Sequence, residues 1–322
     1  MGMKRAVIIG IRFLIAFAIL YFVFSRIPLP EVISTLTSTK LKYLIFASIV
    51  TMTSQLIAAY RLKLFTSVQG ISLTPLHVFE INLATTFYRL FLPGGNLAGG
   101  VIRFFKLASH NKKGMEALAS LAYDRIVATI ALCIVGISFW YIHFPSDSAY
   151  LALSMTFLLS GLVLFNIILF YERTTTFATN ITEVLHLAFF SSVVERFSEI
   201  VKRFKSFSPG SIIFIFALSI ISQLLGVLVY YLLARSMDIE ISFLAMGWIR
   251  SVVVLITMIP ISIAGLGLRE GALIILLRSY GIRDGDALAL SLLIFSITLL
   301  LVGLIGGLLE ARELFHPRYY KD

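Results

Sequence analysis

Charged side chains lie inside segments of this chain that are otherwise apolar. Six fall in the first half and three in the second: Glu80, Arg89, Arg103, Lys106, Asp124 and Arg125, then Arg250, Arg269 and Glu270. Charge is costly in hydrocarbon unless it finds a partner or a ligand, and the planar fork of an arginine can bind two oxygens of a phosphate. The pattern predicts either an anion-binding site or ion pairs that only hold helices together. The sequence leaves both open.

Arg103 is the strongest phosphate-binding candidate because it follows Gly99 and Gly100, where another group can approach the backbone closely. Lys106, one helical turn further on, is expected to reach the inner surface instead. The further candidates for the phosphate are Arg89, Arg125, Arg250, Arg269 and Asn96.

Three carboxylates are predicted charge partners or proton carriers, namely Asp124, Glu270 and Glu80. Asp124 is expected to pair with an arginine from a neighbouring arm, because a lone buried carboxylate would be neutralised. Glu270 has three open roles: a helix cap, a partner of Arg125 or Arg250, or a proton carrier.

Two interrupted segments, 88–103 and 260–271, position these charges. Proline removes a backbone donor and glycine loosens the turn that follows, and such breaks at membrane depth are tolerated only inside protein or along a wet cavity. Breaks in matching places of two halves indicate a transporter's binding site, although glycines also serve close helix packing. The residues of the two breaks are Pro93, Gly94, Gly95, Gly99, Gly100, Pro260, Gly265, Gly267 and Gly271.

The composition of the 322-residue chain is that of a membrane protein. It is 59% hydrophobic and only 14% charged, with a mean hydropathy of +0.95. Its net charge of +10 is assigned to loops facing anionic lipid rather than to nucleic acid. Cys133 is the only cysteine, which excludes an intrachain disulfide, and no metal site or cofactor motif is found.

Hydropathy predicts an all-α polytopic membrane protein, one membrane domain over 1–322, with six full spans and two broken pairs. A 14-residue arm covers only about 21 Å, so both pairs are predicted to be re-entrant. Inner connections carry fifteen Lys and Arg against six outside, which predicts cytoplasmic N- and C-termini. The spans are 6–25, 43–60, 115–140, 149–171, 211–234 and 286–309, and the arms are 74–92 with 96–109 and 243–260 with 265–279.

The same topology predicts an inverted repeat, a recurrent plan of secondary transporters. Its units are 43–140 and 211–309, which have one layout and opposite orientation. Between them, 172–210 is predicted to be a cytoplasmic linker with an amphipathic helix on the inner membrane surface.

The ordered motifs resemble those of the lysylphosphatidylglycerol synthase transmembrane-region family. They are Leu92-Pro-Gly-Gly-Asn-Leu-Ala-Gly-Gly-Val-Ile-Arg103, Ala122-Tyr-Asp-Arg125 and Gly265-Leu-Gly-Leu-Arg-Glu-Gly271. The resemblance implies a region that flips a lipid between leaflets, as in the multiple peptide resistance factors. Lipid synthesis is not expected, because the family's synthetase domain is missing. It also implies a site role for the residues at its charged positions: Arg103, Asp124, Arg125, Arg269 and Glu270.

We therefore expect a lipid flippase or transporter in a prokaryotic plasma membrane, and no enzyme. Its cargo would be an anionic or aminoacylated phospholipid or a polyprenyl phosphate. The alternatives are a carrier of a small ion or organic anion, and a non-catalytic subunit of a lipid- or glycan-modifying enzyme. The expected partners are the lipid cargo, anionic lipid at the inner surface, a second copy of the chain, and a lipid-modifying enzyme.

Overall fold

A computed structural model describes residues 37–91, 96–109, 113–143, 149–170, 200, 203–204, 206–258 and 265–315. Within these ranges the chain is helical and contains no β-strand. The prediction of an all-α protein is confirmed for this part of the chain, while the predicted span 6–25 lies outside it.

The first half contributes five of the described helices. They are α1 (Leu41–Val68), α2 (Pro75–Phe91), α3 (Asn96–Ala108), α4 (Gly114–His143) and α5 (Ala149–Phe170). The second half contributes α6 (Pro209–Ser236), α7 (Phe243–Met258), α8 (Leu268–Arg278), α9 (Asp284–Phe295) and α10 (Leu301–Phe315). A π-helical stretch, Ser296–Leu300, joins α9 to α10 without a break.

Four of the described segments are long and apolar enough to cross a membrane: Leu41–Val68, Gly114–His143, Pro209–Ser236 and Asp284–Arg312. Their lengths of 28 to 30 residues exceed the roughly 20 residues needed for the hydrocarbon core. Helix α7 is a shorter apolar helix. The chain is therefore a membrane protein with several apolar helices, and the total of six full spans stays a prediction.

Both predicted interruptions occur where the sequence indicates them. The first falls between α2, which ends at Phe91, and α3, which begins at Asn96; the second falls between α7 and α8. The second short arm begins at Leu268 rather than 265, because Gly265 and Gly267 take positive φ angles of 79° and 83° in the turn before it. Each short helix packs against its own long arm.

Each long arm also packs against a helix of the other half. Helix α2 lies on α10 and helix α7 lies on α4, while α1 and α6 pack together. Glycines permit the first contact, because a Cβ built on Gly306 would come within 2.0 Å of the Leu83 carbonyl oxygen. Gly136 and Gly247 serve the second contact in the same way, against Ser251 and Phe139 respectively.

The largest buried cluster lies in the second half, around α7. Met246, Trp248, Ile249 and Val253 are almost wholly buried there. Trp248 also donates an indole N–H hydrogen bond of 3.0 Å to the Tyr280 hydroxyl. The broken pair formed by α7 and α8 therefore rests on a rigid packed core.

The described residues of the predicted linker helix pack on α1 and α4. Ile200 and Phe204 are 1% and 4% exposed and join a cluster with Phe65 and Tyr123. Gln69 donates a hydrogen bond of 2.9 Å to the Ile200 carbonyl. Most of 172–210 lies outside the described residues, and the linker with its amphipathic helix on the inner membrane surface stays a prediction.

Replacing Gly306 by alanine should lower the melting temperature of the detergent-solubilised protein. The added methyl group would clash with backbone atoms of Leu83 and Ala84, and overpacking of this kind costs about 1–3 kcal/mol. Gly161→Ala is the matched control, because nothing lies within 4 Å of a Cβ at Gly161. Equal melting temperatures for the two variants would refute the close approach of α10 to α2.

Candidate functional site

A buried ion pair joins the first helix to the fourth. The Arg61 Nε donates to the Asp124 Oδ1 at 2.8 Å, and the two residues are only 4% and 5% exposed. Arg61 also donates from Nη1 to the Ser219 hydroxyl of α6 at 3.2 Å. Three helices therefore meet at this ion pair, in which each charge compensates the other.

Arg61 is a residue that the sequence analysis assigned to a loop. The predicted span ended at 60, just before the charge, whereas α1 continues to Val68. Asp124 has the buried arginine partner that was expected, but the closest one comes from α1 rather than from a short arm. Arg103 on α3 lies at 3.9 Å from the Asp124 Oδ2 through its Nη2 and is the second cation at this carboxylate.

A second polar contact lies one helical turn further along α4 and α6. Arg250 of α7 donates from Nη1 to the Gln223 Oε1 at 3.0 Å. Gln223 of α6 donates in turn to the Ala128 carbonyl of α4 at 3.0 Å. Gly226 leaves the room that the guanidinium of Arg250 occupies, since a Cβ there would lie 2.1 Å from Nη2.

These two contacts lie well inside the spanning helices. Asp124 is the eleventh residue of α4 and Ser219 the eleventh of α6, which places both about 15 Å along helices that are about 45 Å and 42 Å long. Polar side chains from α1, α4, α6 and α7 therefore gather away from the helix ends.

The start of α8 is closed by the chain's own carboxylate. Glu270 is fully buried, and its Oε2 accepts a hydrogen bond of 2.6 Å from the Gly267 N–H. Arg269 forms a salt bridge with the other carboxylate oxygen. Ser291 of α9 donates to that oxygen at 3.1 Å and accepts from the Arg269 Nε at 3.0 Å.

Of the roles left open for Glu270, the structure therefore has the helix cap. Its charged partner is Arg269 rather than Arg125 or Arg250. The N-terminus of α8 is occupied by this side chain.

Among the arginines predicted as phosphate-binding candidates, Arg89, Arg125 and Arg250 have no carboxylate within salt-bridge distance among the described residues. Arg89 lies near the end of α2, within electrostatic range of Arg125, Arg103 and Arg269. The Nε atoms of Arg89, Arg103 and Arg250 are buried without a hydrogen-bond partner in the described chain. Arg125 is exposed although it lies twelve residues into a spanning helix. We call Arg89, Arg103 and Arg125, which lie within electrostatic range of one another, the arginine cluster.

An arginine from each interrupted segment lies within electrostatic range of the other. Arg89 precedes the first break, and Arg269 follows the second. The meeting of the two broken segments in the membrane stays a prediction.

Two further charged residues of the prediction, Lys106 and Glu80, pair with residues outside the arginine cluster. Lys106 forms a salt bridge with Glu310 of α10 instead of reaching alone to the inner surface. Tyr88 donates to the same carboxylate at 3.0 Å. Glu80 lies 3.5 Å from the His77 Nδ1 in the first turns of α2.

Several predicted positions cannot be compared with the structure. Pro93, Gly94, Gly95 and Pro260 lie outside the described residues, and the side chain of Asn96 does too, although α3 begins there. Gly99 packs against Thr85 and Arg89 of α2, whereas Gly100 and Gly271 face open space. No group of His, Cys, Asp and Glu suited to a metal ion occurs in the described part.

An apolar cavity of about 450 Å³ lies beside the Arg61–Asp124 pair. Tyr123, the neighbour of Asp124, lines it together with residues of α5, α6 and the segment before α6. Two of the lining residues, Val163 and Ile212, are exposed, so the cavity reaches the outer surface between α5 and α6. Its lining residues are Phe65, Tyr123, Val127, Ile130, Ile134, Leu159, Val163, Phe204, Phe207, Ile212, Ile215 and Phe216.

The fold and the buried charges define a helical, multi-pass membrane protein with two interrupted helices and buried arginines. Residues 8–306 of this chain match the sequence model of one family in that class, which is described as "Lysylphosphatidylglycerol synthase TM region". The chain belongs to this family, and the resemblance inferred from its motifs is confirmed. Comparison with curated proteins finds no matching sequence.

Asp124→Asn should destabilise the protein strongly, because it leaves the buried Arg61 charge without its carboxylate. Breaking one side of such a pair costs about 3–5 kcal/mol. The melting temperature in detergent should fall more when Asp124→Asn is made in the unchanged protein than when it is added to a chain that already carries Arg61→Gln. Strictly additive effects in this double-mutant cycle would show that the pair carries no coupling energy.

Proposed function

We propose that this protein moves an anionic lipid between membrane leaflets, with the head group held by the arginine cluster. The observation that carries the proposal is the surplus of positive charge among the membrane helices. Arg89, Arg125 and Arg250 have no carboxylate partner among the described residues, and unpaired charge inside a membrane is costly. An anionic guest would supply the missing partner, and a phosphate fits the guanidinium fork.

A lipid fits the surroundings of the cluster better than a soluble anion does. The 450 Å³ cavity is within the range of small-molecule sites and is lined by aliphatic and aromatic residues. Tyr123 lines the cavity while Asp124, the next residue, pairs with Arg61 and Arg103. A head group at the arginines could therefore leave one acyl chain in this cavity. Membership of the family supports a lipid-related role.

The movement would come from two inverted units that rock against each other. Reciprocal packing supports this plan, since α2 lies on α10 and α7 on α4, with α1 against α6 between them. Under this proposal the pairs α2–α3 and α7–α8 enter from opposite faces of the bilayer. Such an arrangement places a site where the breaks meet, near the midplane.

Purified protein in phosphatidylcholine vesicles should accelerate the exchange of an acyl-labelled anionic phospholipid between leaflets. Arg125→Gln and Arg89→Gln should each slow this exchange about tenfold, because each removes a charge-assisted hydrogen bond to the head group. Dithionite quenching of the outer-leaflet label measures the rate. Using the acyl chain for the label keeps the head group intact.

Arg283→Gln is the matched control, because Arg283 is an exposed arginine paired with Asp286 at the start of α9. Its exchange rate should equal that of the unchanged protein. Equal exchange in vesicles with and without protein, across anionic lipids, would remove the proposal. Uptake of a soluble anion without lipid exchange would favour the small-anion carrier.

Filling the apolar cavity should slow lipid exchange without affecting the arginines. Val127→Trp adds a large side chain to the cavity wall on α4. We expect a slower rate for two-chain lipids and a smaller effect on a short-chain analogue of the same head group. Leu304→Trp is the control, since Leu304 is 50% exposed and does not line the cavity. An identical rate for Val127→Trp would exclude the cavity as the acyl site.

A further inference from the structure

Around the arginine cluster, the carboxylates of the described chain are paired with cations, whereas several guanidinium groups are not paired with carboxylates. Every carboxylate near it in the described chain already has a cation of the protein itself. Asp124 is held by Arg61 and Arg103, Glu270 by Arg269, and Glu310 by Lys106. A ligand amine would therefore find no free carboxylate there.

The hydrogen-bond capacity of these carboxylates is used as well. The two oxygens of Glu270 accept from a backbone N–H, a guanidinium and the Ser291 hydroxyl. Glu310 accepts from the Tyr88 hydroxyl in addition to its salt bridge. Displacing any of these protein cations by a ligand ammonium would leave a buried charge unpaired, which is strongly unfavourable.

The cations, by contrast, are incompletely satisfied. Three buried guanidinium Nε atoms, those of Arg89, Arg103 and Arg250, lack partners in the described chain. Arg89 lies in the field of three other arginines, so like charges repel until an anion arrives. A guest with a single diffuse negative charge would compensate this cluster only in part. A phosphate monoester carries about −1.5 to −2 charges and three acceptor oxygens at pH 7, which matches the surplus better.

We infer that the lipid carried is one whose head group ends in a phosphomonoester or diphosphate and bears no amine. This inference rests on the function proposed above and narrows its substrate class. It separates this chain from the aminoacylated lipid in the family's name, because an aminoacyl ester adds an ammonium for which the described site has no acceptor. A polyprenyl phosphate and phosphatidic acid share the required head-group chemistry.

The test compares four acyl-labelled lipids in otherwise identical phosphatidylcholine vesicles: phosphatidic acid, phosphatidylglycerol, phosphatidylethanolamine and lysyl-phosphatidylglycerol. Phosphatidic acid should exchange fastest, and at least about tenfold faster than either amine-bearing lipid, the difference expected for one charge-assisted hydrogen bond. Phosphatidylglycerol should lie between them. Comparable rates for all four would overturn the inference while the lipid-exchange function stands. No protein-dependent exchange of any lipid would instead remove the function itself.

A charge-reversal variant tests which residue sets the preference. Arg125→Glu replaces an exposed guanidinium by a carboxylate that can accept an ammonium. The ratio of phosphatidic acid to lysyl-phosphatidylglycerol exchange should fall about tenfold or more, whereas Arg283→Gln should leave it unchanged. Circular dichroism and the melting temperature identify any loss of fold. A folded Arg125→Glu protein with an unchanged ratio would overturn the assignment of head-group selection to the arginine cluster.

A polyprenyl phosphate and a polyprenyl diphosphate, added to the vesicles as unlabelled competitors, identify the source of the phosphate. Competition by either one at lower concentration than phosphatidic acid would assign the cargo to polyprenols. Competition by free inorganic phosphate at the same concentration would contradict the requirement for a lipid.

Discussion

The ion pair between Arg61 and Asp124 is the interaction on which the arrangement of the helices depends. Both side chains are almost fully removed from solvent, so each charge needs the other to offset its desolvation. Because Ser219 contacts Arg61 and Arg103 contacts Asp124, the ion pair fixes α1, α3, α4 and α6 relative to one another. The short helix α3 is therefore held against α4 by charge as well as by packing. Any movement of α3 that carries Arg103 away must leave Asp124 to Arg61 alone.

The two short arms meet their electrostatic needs differently. In the first turn of α8, Glu270 accepts a hydrogen bond from the Gly267 N–H and neutralises Arg269. The positive end of the α8 dipole therefore faces an anion of the protein itself. Helix α3 presents Arg103 from its third turn, and this arginine shares Asp124 with the closer partner Arg61. Under the proposed function, affinity for an external anion comes from the arginines of α2, α3 and α4, which would make the site asymmetric between the halves.

Local features of the sequence were sufficient to predict both interruptions and the bounds of their arms within a few residues. Proline and glycine act on the backbone of their own segment, so no knowledge of distant partners was needed. Arg61 shows where this reasoning stops. Hydropathy ended the predicted span 43–60 just before Arg61, because the sequence does not show that Asp124, 63 positions away, would neutralise this arginine. Glu310 and Gln223 were missed for the same reason, since their partners Lys106, Arg250 and Ala128 are distant in the chain.

The reciprocal docking of the long arms has a consequence for biogenesis. About 210 positions separate Phe91, where α2 ends, from Leu301, where the helix that covers it begins. At a synthesis rate of about 5–20 residues per second, α2 waits roughly 10–40 s for that partner. During this interval its contact surface for Gly303 and Gly306 must be shielded by lipid, by the insertion machinery or by a chaperone. A chain that ends between the halves would thus leave α2 without α10 and α4 without α7.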